Sequence, residues 1–244
     1  MRRKLVQSRT EARRVIDEGR VRVRGNPSPK PSTLVAAEDP LSVEGPPAQF
    51  VSRAGAKLDG ALDAFGLPVL GRRAVDVGAS TGGFTDCLLQ RGATSVVALD
   101  VGYGQLHDRI RRDERVTVIE RTNIRHADPV ELGAPFNVVV ADLSFISLAL
   151  VAPQISELGT AGTDWVLLVK PQFEAGKGQV GRGGIVRDPE VHVQAVEQAI
   201  GALDVAGVGI VGLVDSAIKG TEGNREFLVH GRRAERTVDA GTVR

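Results

Sequence analysis

Arg73-Ala74-Val75-Asp76-Val77-Gly78-Ala79-Ser80-Thr81-Gly82-Gly83-Phe84 is the stretch whose reading decides the fold. Its first five residues form a short apolar run around Asp76, the pattern of a strand buried on both faces. The run opens into glycines, which let a backbone turn sharply and approach a ligand, and then into a helix through Leu88, Leu89 and Gln90. The same alternation repeats along the chain. Val96–Asp100 is a second strand, followed by a helix around 106–112, and Val116–Glu120 is a third. Val138–Asp142 and Trp165–Lys170 are the fourth and fifth. Asp188-Pro189 starts a long helix over 188–206, on which Val193, Val196, Ile200 and Leu203 recur at helical spacing. Strands over 208–214 and 226–230 close the pattern. Buried strands joined by helical crossovers make a parallel sheet with both faces covered. The last connection, 216–225, is too short for a crossover, so the final strand is predicted to be antiparallel. The expected fold is α/β and Rossmann-like, with a seven-stranded sheet.

The bulk composition narrows the class. A length of 244 residues accommodates one α/β domain and a small appendage. The single cysteine excludes an internal disulfide and a multi-cysteine zinc site, and no metal is expected. No apolar run approaches the ~18 residues of a membrane span. The basic start is followed by polar residues rather than a signal peptide, so the chain reads as cytoplasmic with no membrane partner. The net charge of +1 hides an asymmetry: residues 1–30 hold ten Lys and Arg against three acids, and the remainder is acidic. A basic arm gains affinity for a polyanion by releasing condensed counterions. Arg2, Arg3, Lys4, Arg9, Arg13, Arg14, Arg20, Arg22 and Arg24 are its candidate RNA contacts, a solvated charged surface being the alternative. Within the arm, Ser8 or Thr10 can cap a short helix with Ala12, Val15 and Ile16 on its apolar side, ended by Gly19. Val21–Arg24 alternates as a half-exposed strand, and the prolines beyond it predict turns. The expected division is a small α+β RNA-binding domain over 1–45, a linker over 46–52, a catalytic domain over 53–235 and a tail over 236–244.

In an open α/β sheet, ligands sit at the carboxyl ends of the strands, where the strand order reverses. The loop Gly78-Ala79-Ser80-Thr81-Gly82-Gly83, ending in Phe84, lies at such an end. A dinucleotide fingerprint needs a glycine where this loop has Ser80. A methyl donor with an amino-acid tail and a sulfonium needs no pyrophosphate site and tolerates an acid, Asp76, before the loop. S-adenosylmethionine is therefore the expected cofactor, although the glycines alone would also suit a tight turn. Asp100 can accept hydrogen bonds from ribose hydroxyls and would serve either cofactor. Asn123 follows the third strand as a partner for an adenine edge, or as an ordinary turn residue.

Three ionisable residues stand at the same side of the sheet: Asp142, Lys170 and Glu226, the last because an antiparallel strand begins where the others end. Lys57 lies on the segment entering the domain and can cover the same pocket. Methylation of an exocyclic amine commonly uses an Asp/Asn-Pro-Pro-aromatic motif, but this chain has Asp142-Leu143-Ser144-Phe145. Methylation at cytosine carbon five needs a cysteine nucleophile, and Cys87 sits inside a helix. An oxygen acceptor remains, for which Lys170 is the candidate base. Lys57 would favour its neutral form and the two carboxylates its charged form, and the spacing leaves that balance open. A structural salt bridge is the alternative reading for each of the four.

These motifs, together with Val51–Leu58, Asp100–Leu106, Lys170-Pro171-Gln172-Phe173-Glu174, Gly176-Lys177-Gly178 and Gly223-Asn224-Arg225-Glu226-Phe227, resemble the TlyA family of RNA 2′-O-methyltransferases, also called hemolysin A. The resemblance covers nearly the whole chain. It implies a class I methyltransferase fold and a Lys-Asp-Lys-Glu tetrad shared with FtsJ-type enzymes, falling on Lys57, Asp142, Lys170 and Glu226. It also implies ribosomal RNA as partner and a cytidine ribose as acceptor. The basic arm resembles a small RNA-binding domain of a ribosomal protein and, beside the family, reads as truncated at its start. Phe50 stands where relatives often have Trp or Tyr. A membrane-active hemolysin and a catalytically idle ribosome-assembly factor are the alternatives.

Overall fold

The computed structural model describes residues 3, 5–6, 9–27, 30–45, 48–176, 178–220 and 222–233. It forms two compact units, Met1–Gln49 and Phe50–Arg244.

The first unit contains α1 (Arg9–Asp17), β1 (Val21–Val23), β2 (Asn26–Pro27) and β3 (Leu41–Val43). Val15 is the buried residue of α1, and Gly19 leaves the helix with φ +68°. β1 is the centre of a three-stranded antiparallel sheet in the order β2-β1-β3. The stretch read as turns thus contributes both edge strands. Pro27 is tolerated there because an edge position spares it a ladder donor. Several of the arginines expected to contact RNA have partners inside the unit. Arg24 pairs with Asp39 at 2.5 Å, Arg22 with Glu44 at 2.7 Å, Arg20 with Glu18 at 3.2 Å and Arg13 with Asp17 at 3.1 Å. Arg3 donates to the carbonyls of Ala36, Ala37 and Asp39. Arg2, Lys4 and the tail 236–244 lie outside the described residues, as do the side chains of Arg9 and Arg14.

The second unit opens with α2 (Ala54–Phe65), a helix not predicted from the sequence. Its two internal glycines lower helix propensity, and packing of Leu58, Ala61 and Leu62 into the core overrides that. Then follow β4 (Arg73–Val77), α3 (Gly83–Gln90), β5 (Ser95–Leu99), α4 (Asp108–Arg111), β6 (Val116–Ile119), β7 (Phe136–Ala141), α5 (Ala152–Glu157), β8 (Gly159–Val169), α6 (Pro171–Glu174), α7 (Pro189–Val205), β9 (Val208–Asp215) and β10 (Phe227–Arg233). The sheet order is β6-β5-β4-β7-β8-β10-β9. β10 lies between β8 and β9 and is antiparallel to both. The reversed last strand is as expected, and it brings Glu226 beside the end of β8. β8 begins at Gly159, six residues before the expected start.

Two apolar cores sandwich the sheet. One gathers Val75, Val139, Trp165, Ile155, Ile200 and Leu203 under α5 and α7. The other gathers Leu58, Leu62, Phe84, Leu88, Val96 and Leu228 under α2 and α3. Trp165 is fully buried, and its indole N–H donates to the Ile155 carbonyl at 3.0 Å. α7 starts as expected, with the Asp188 carboxylate accepting the Glu190 N–H at 2.9 Å. Phe50, Val51 and Ser52, read from the sequence as linker, pack within this unit. Phe50 is buried against Gly55, and the Val51 N–H donates to Asp86.

Candidate active site

β4 sits between β5 on one side and β7 on the other, so the strand order reverses at its carboxyl end. The loop after β4 is pinned there, because Gly78 and Ala79 both donate their N–H groups to the Leu99 carbonyl. Gly78 has φ +85°, and a Cβ on it would lie 2.7 Å from the Asp142 carbonyl oxygen. Only glycine passes so close to β7. Ser80 also adopts a left-handed conformation, with φ +47°, and its N–H donates to Asp100 Oδ2 at 2.7 Å.

The loop borders a cavity of about 550 Å³. Gly78, Ser80, Asp100 and Asn123 contribute polar surface, and Leu99, Ile124, Leu143 and Ile146 apolar surface. Asp100 Oδ1 accepts the Gly102 N–H at 2.6 Å, so each carboxylate oxygen holds one backbone donor. A carboxylate has about four lone-pair sites, which leaves acceptor capacity toward the cavity. Asn123 lines the cavity while its side-chain oxygen accepts the Arg125 N–H at 3.0 Å. Both roles considered for it are therefore compatible.

Asp76 is placed differently from what the sequence suggested. It is fully buried beneath the loop, and one oxygen accepts both the N–H and the hydroxyl of Thr85, at 2.9 and 2.7 Å. It ties the first turn of α3 to β4 and lines none of the cavities at this end of the sheet. Its other oxygen is buried with no partner. Burial outweighs the Thr85 hydrogen bonds and, with the nearby Asp142 and Asp100 charges, pushes its pKa up to about 7. Because the folded-state value is raised above 3.8, this group contributes stability below about pH 3.8, and the contribution is lost as pH rises toward about 7. Asp76→Asn abolishes that titration. Its Tm is expected to fall less than that of the unchanged protein between about pH 5 and about pH 8. Parallel melting curves of the two proteins across that range would contradict the assignment.

A second cavity of about 520 Å³ adjoins the first, with Asp142, Ser144 and Phe145 in both walls. Four ionisable side chains meet in it. Lys57 from α2 and Glu226 before β10 are both buried, with Nζ 2.5 Å from Oε2. Lys170, ending β8, places Nζ 2.5 Å from Oδ1 of Asp142, ending β7. The first contact is a hydrogen-bonded ion pair, whereas the second is an ion pair without hydrogen-bond alignment. Lys170 Nζ also donates to Ser144 Oγ at 3.0 Å. Thr81, Gly83 and Phe84 border a smaller cavity of about 130 Å³, again with Asp142, Ser144 and Lys170. Gly82 turns the chain into α3 with φ +90°. Cys87 is fully buried in α3, and burial pushes its thiol pKa up, so it offers no nucleophile.

The sequence did not single out the zipper that holds this site. Asp142-Leu143-Ser144-Phe145-Ile146-Ser147 lies against Lys170-Pro171-Gln172-Phe173-Glu174 at three points. Lys170 meets Asp142 and Ser144, the Phe173 ring lies 5.3 Å from the Phe145 ring, and buried Glu174 accepts from Ser147 Oγ at 2.5 Å and the Leu148 N–H at 2.7 Å. Phe145 is held with φ +65° and is 91% exposed. An exposed aromatic in a left-handed conformation reads as a functional outlier. The spacing Asp-x-Ser-Phe opposite Lys-x-x-Phe-Glu was the available signal. Among the described residues no group of three or more His, Cys, Asp or Glu side chains could hold a metal ion. No helix among them is long and apolar enough to cross a membrane.

Known proteins match this arrangement. Residues 50–233 match the FtsJ-like methyltransferase family. The Mycobacterium tuberculosis protein named 16S/23S rRNA (cytidine-2'-O)-methyltransferase TlyA is 48% identical over 94% of this chain and 86% of its own length. Hemolysin A of Brachyspira hyodysenteriae is 40% identical over 92% of this chain and 93% of its own length. A solved hemolysin-named structure from Streptococcus thermophilus superposes with a TM-score of 0.81 at 38% identity, covering 98% of this chain and 90% of the other. With a seven-stranded sheet whose last strand is reversed, the glycine loop at its switch point and a family match over residues 50–233, the chain belongs to the FtsJ-like methyltransferases.

Proposed function

We propose that the protein transfers a methyl group from S-adenosylmethionine to the 2′-hydroxyl of a cytidine in ribosomal RNA. The observation that carries this reading is the meeting of Lys57, Asp142, Lys170 and Glu226 in one cavity that shares a wall with the glycine-loop cavity. The first cavity suits the methyl donor. Its volume of about 550 Å³ lies within the roughly 300–1,000 Å³ of small-molecule sites. Asp100 would accept from the donor's ribose hydroxyls, Leu99, Ile124 and Ile146 would enclose the adenine, and the loop Gly78–Gly83 would face the amino-acid tail. When bound, the donor supplies an electrophilic methyl group.

The protein's own residues do the remaining work. Lys170 in its neutral form accepts the proton of the 2′-hydroxyl, raising the nucleophilicity of the oxygen. Asp142, which lines both cavities, holds Lys170 in the acceptor cavity. Lys57 and Glu226 neutralise one another across the acceptor cavity, keeping a buried pair where either charge alone would be costly. Phe145 offers an exposed π-face on which the acceptor's base can stack, as unstacked RNA bases do on aromatic side chains. The basic first unit and the names of the rRNA-modifying relatives support ribosomal RNA as the substrate.

The test is incubation with labelled methyl donor and each ribosomal subunit, followed by location of the modified nucleotide. No transfer to either subunit or to free rRNA would overturn the proposal. Phe145→Ala is expected to lower kcat/KM for the RNA by on the order of 10-fold to 100-fold, the stacking of one base being worth about 1–3 kcal/mol. Donor affinity measured by calorimetry should fall by no more than a few-fold, since Phe145 is one of many residues lining the donor cavity whereas its exposed face is offered to the base. An unchanged kcat/KM would remove Phe145 from this role.

A further inference from the structure

We infer that Ser144 is a positioning residue, whose hydroxyl sets the direction in which the Lys170 amine meets the acceptor. The inference rests on Lys170 being the base. Asp142 attracts Nζ through charge at 2.5 Å but is not aligned as a hydrogen-bond acceptor. Among the described residues, Ser144 Oγ, at 3.0 Å, is the aligned hydrogen-bond partner of Nζ. An ion pair without alignment fixes where a nitrogen sits but not how its hydrogens and lone pair are turned. A hydrogen bond fixes that rotation, and proton transfer depends on it. When neutral, Lys170 that gives one N–H to Ser144 Oγ has its lone pair confined to the remaining directions around nitrogen.

The placement of Ser144 fits this task. It borders all three cavities at this end of the sheet, as does Asp142, whereas Lys57 and Glu226 border the acceptor cavity alone. It follows Asp142 by two residues, in the loop that Glu174 pins through Ser147 and Leu148. Because both the hydroxyl and the amine are held by α6 and its neighbouring loop, their relation is set before substrate arrives. In the transfer itself, the acceptor O–H bond breaks as its proton passes to Lys170 Nζ. The oxygen lone pair then forms the new bond to the methyl carbon, and the pair of the broken sulfur–carbon bond stays on sulfur. Ser144 neither gains nor loses a proton in this step.

Ser144 is exposed, so Ser144→Ala removes the hydroxyl without opening a core cavity. Full-length enzyme is assayed with S-adenosylmethionine and ribosomal subunits. Losing a hydrogen bond to a charged group corresponds to on the order of 10-fold to 100-fold in kcat. KM for the RNA should stay within about twofold and donor affinity within a few-fold, because the hydroxyl, although it borders both cavities, is engaged with Lys170 Nζ. Ser144→Thr, which keeps the hydroxyl, restores most of kcat. A Ser144→Ala enzyme with unchanged kcat overturns the inference. So does a loss confined to KM or donor affinity, or failure of Ser144→Thr to exceed Ser144→Ala. Lys170→Ala, measured in parallel, separates the two levels. If Lys170→Ala is inactive and Ser144→Ala is normal, the role of Ser144 alone fails; if Lys170→Ala keeps full activity, the assignment of the base fails with it.

Discussion

Lys170→Ala lowers kcat for methyl transfer by on the order of 100-fold to 10,000-fold, the range expected when a general base is removed. The loss falls on kcat because Lys170 lines the acceptor cavity, paired to Asp142 at 2.5 Å and to Ser144 at 3.0 Å. It does not line the 550 Å³ cavity assigned to the donor, so donor affinity changes by no more than a few-fold. Single-turnover transfer to ribosomal subunits, with calorimetry of donor binding alongside, measures both. Transfer within about tenfold of the unchanged enzyme would mean that the acceptor proton leaves by another route.

The second large effect lies at the other end of the sheet and concerns stability. Asp164, near the middle of β8, is 4% exposed. Its Oδ1 accepts from His230 Nε2 at 2.8 Å and Arg232 Nε at 2.9 Å, and its Oδ2 accepts from Arg72 Nη1 at 2.7 Å. Burial by itself would raise its pKa. The hydrogen bonds from His230, Arg232 and Arg72 together outweigh that and hold it well below the usual carboxylate range. Asp164→Ala leaves these donors facing one another over a gap. The expected loss is about 3 kcal/mol, the low end of the range for breaking a buried pair because Arg232 is partly solvated. The sign of the pH dependence follows from the lowered pKa. The stabilisation is present above the unfolded value of 3.8 and is lost as pH falls through the folded one. Denaturant unfolding near neutral pH measures the loss, and a change under about 1 kcal/mol would show the cluster to be ornamental. Donor affinity of the folded protein should not change, since Asp164 lines none of the cavities at the carboxyl end of the sheet.

Legibility of the fold from the sequence followed burial. Strands covered on both faces leave apolar runs, so Ala74–Val77, broken only by Asp76, and the continuous Val96–Leu99, Val138–Ala141 and Val166–Val169 stood out. α2 did not, because Gly55 and Gly60 weaken its propensity and its helical state depends on packing beside α3. β2 and β3 were hidden because they are only two and three residues long and lie in a proline-rich stretch that reads as turns, whereas β1 shows its alternation with Arg22 and Arg24. Asp76 shows the limit for a site residue. An acid before a glycine loop reads equally well as a ligand contact or as a clamp on the following helix, and only its burial against Thr85 distinguishes them.

The glycine loop after β4, the side of the sheet on which ligands bind and the residue types of the tetrad are all readable from the linear chain. Strand polarity and turn chemistry are local properties, and they place Asp142, Lys170 and Glu226 at one end of a sheet. Which lysine faces which carboxylate is not local. Insertion of β10 between β8 and β9 carries Glu226 beside the end of β8, and α2 brings Lys57 to within 2.5 Å of it. That leaves Lys170 to Asp142 and to the hydroxyl of Ser144. Ion pairs and hydrogen bonds act over a few ångströms, and distances of that size between residues 169 positions apart exist only once the sheet has closed.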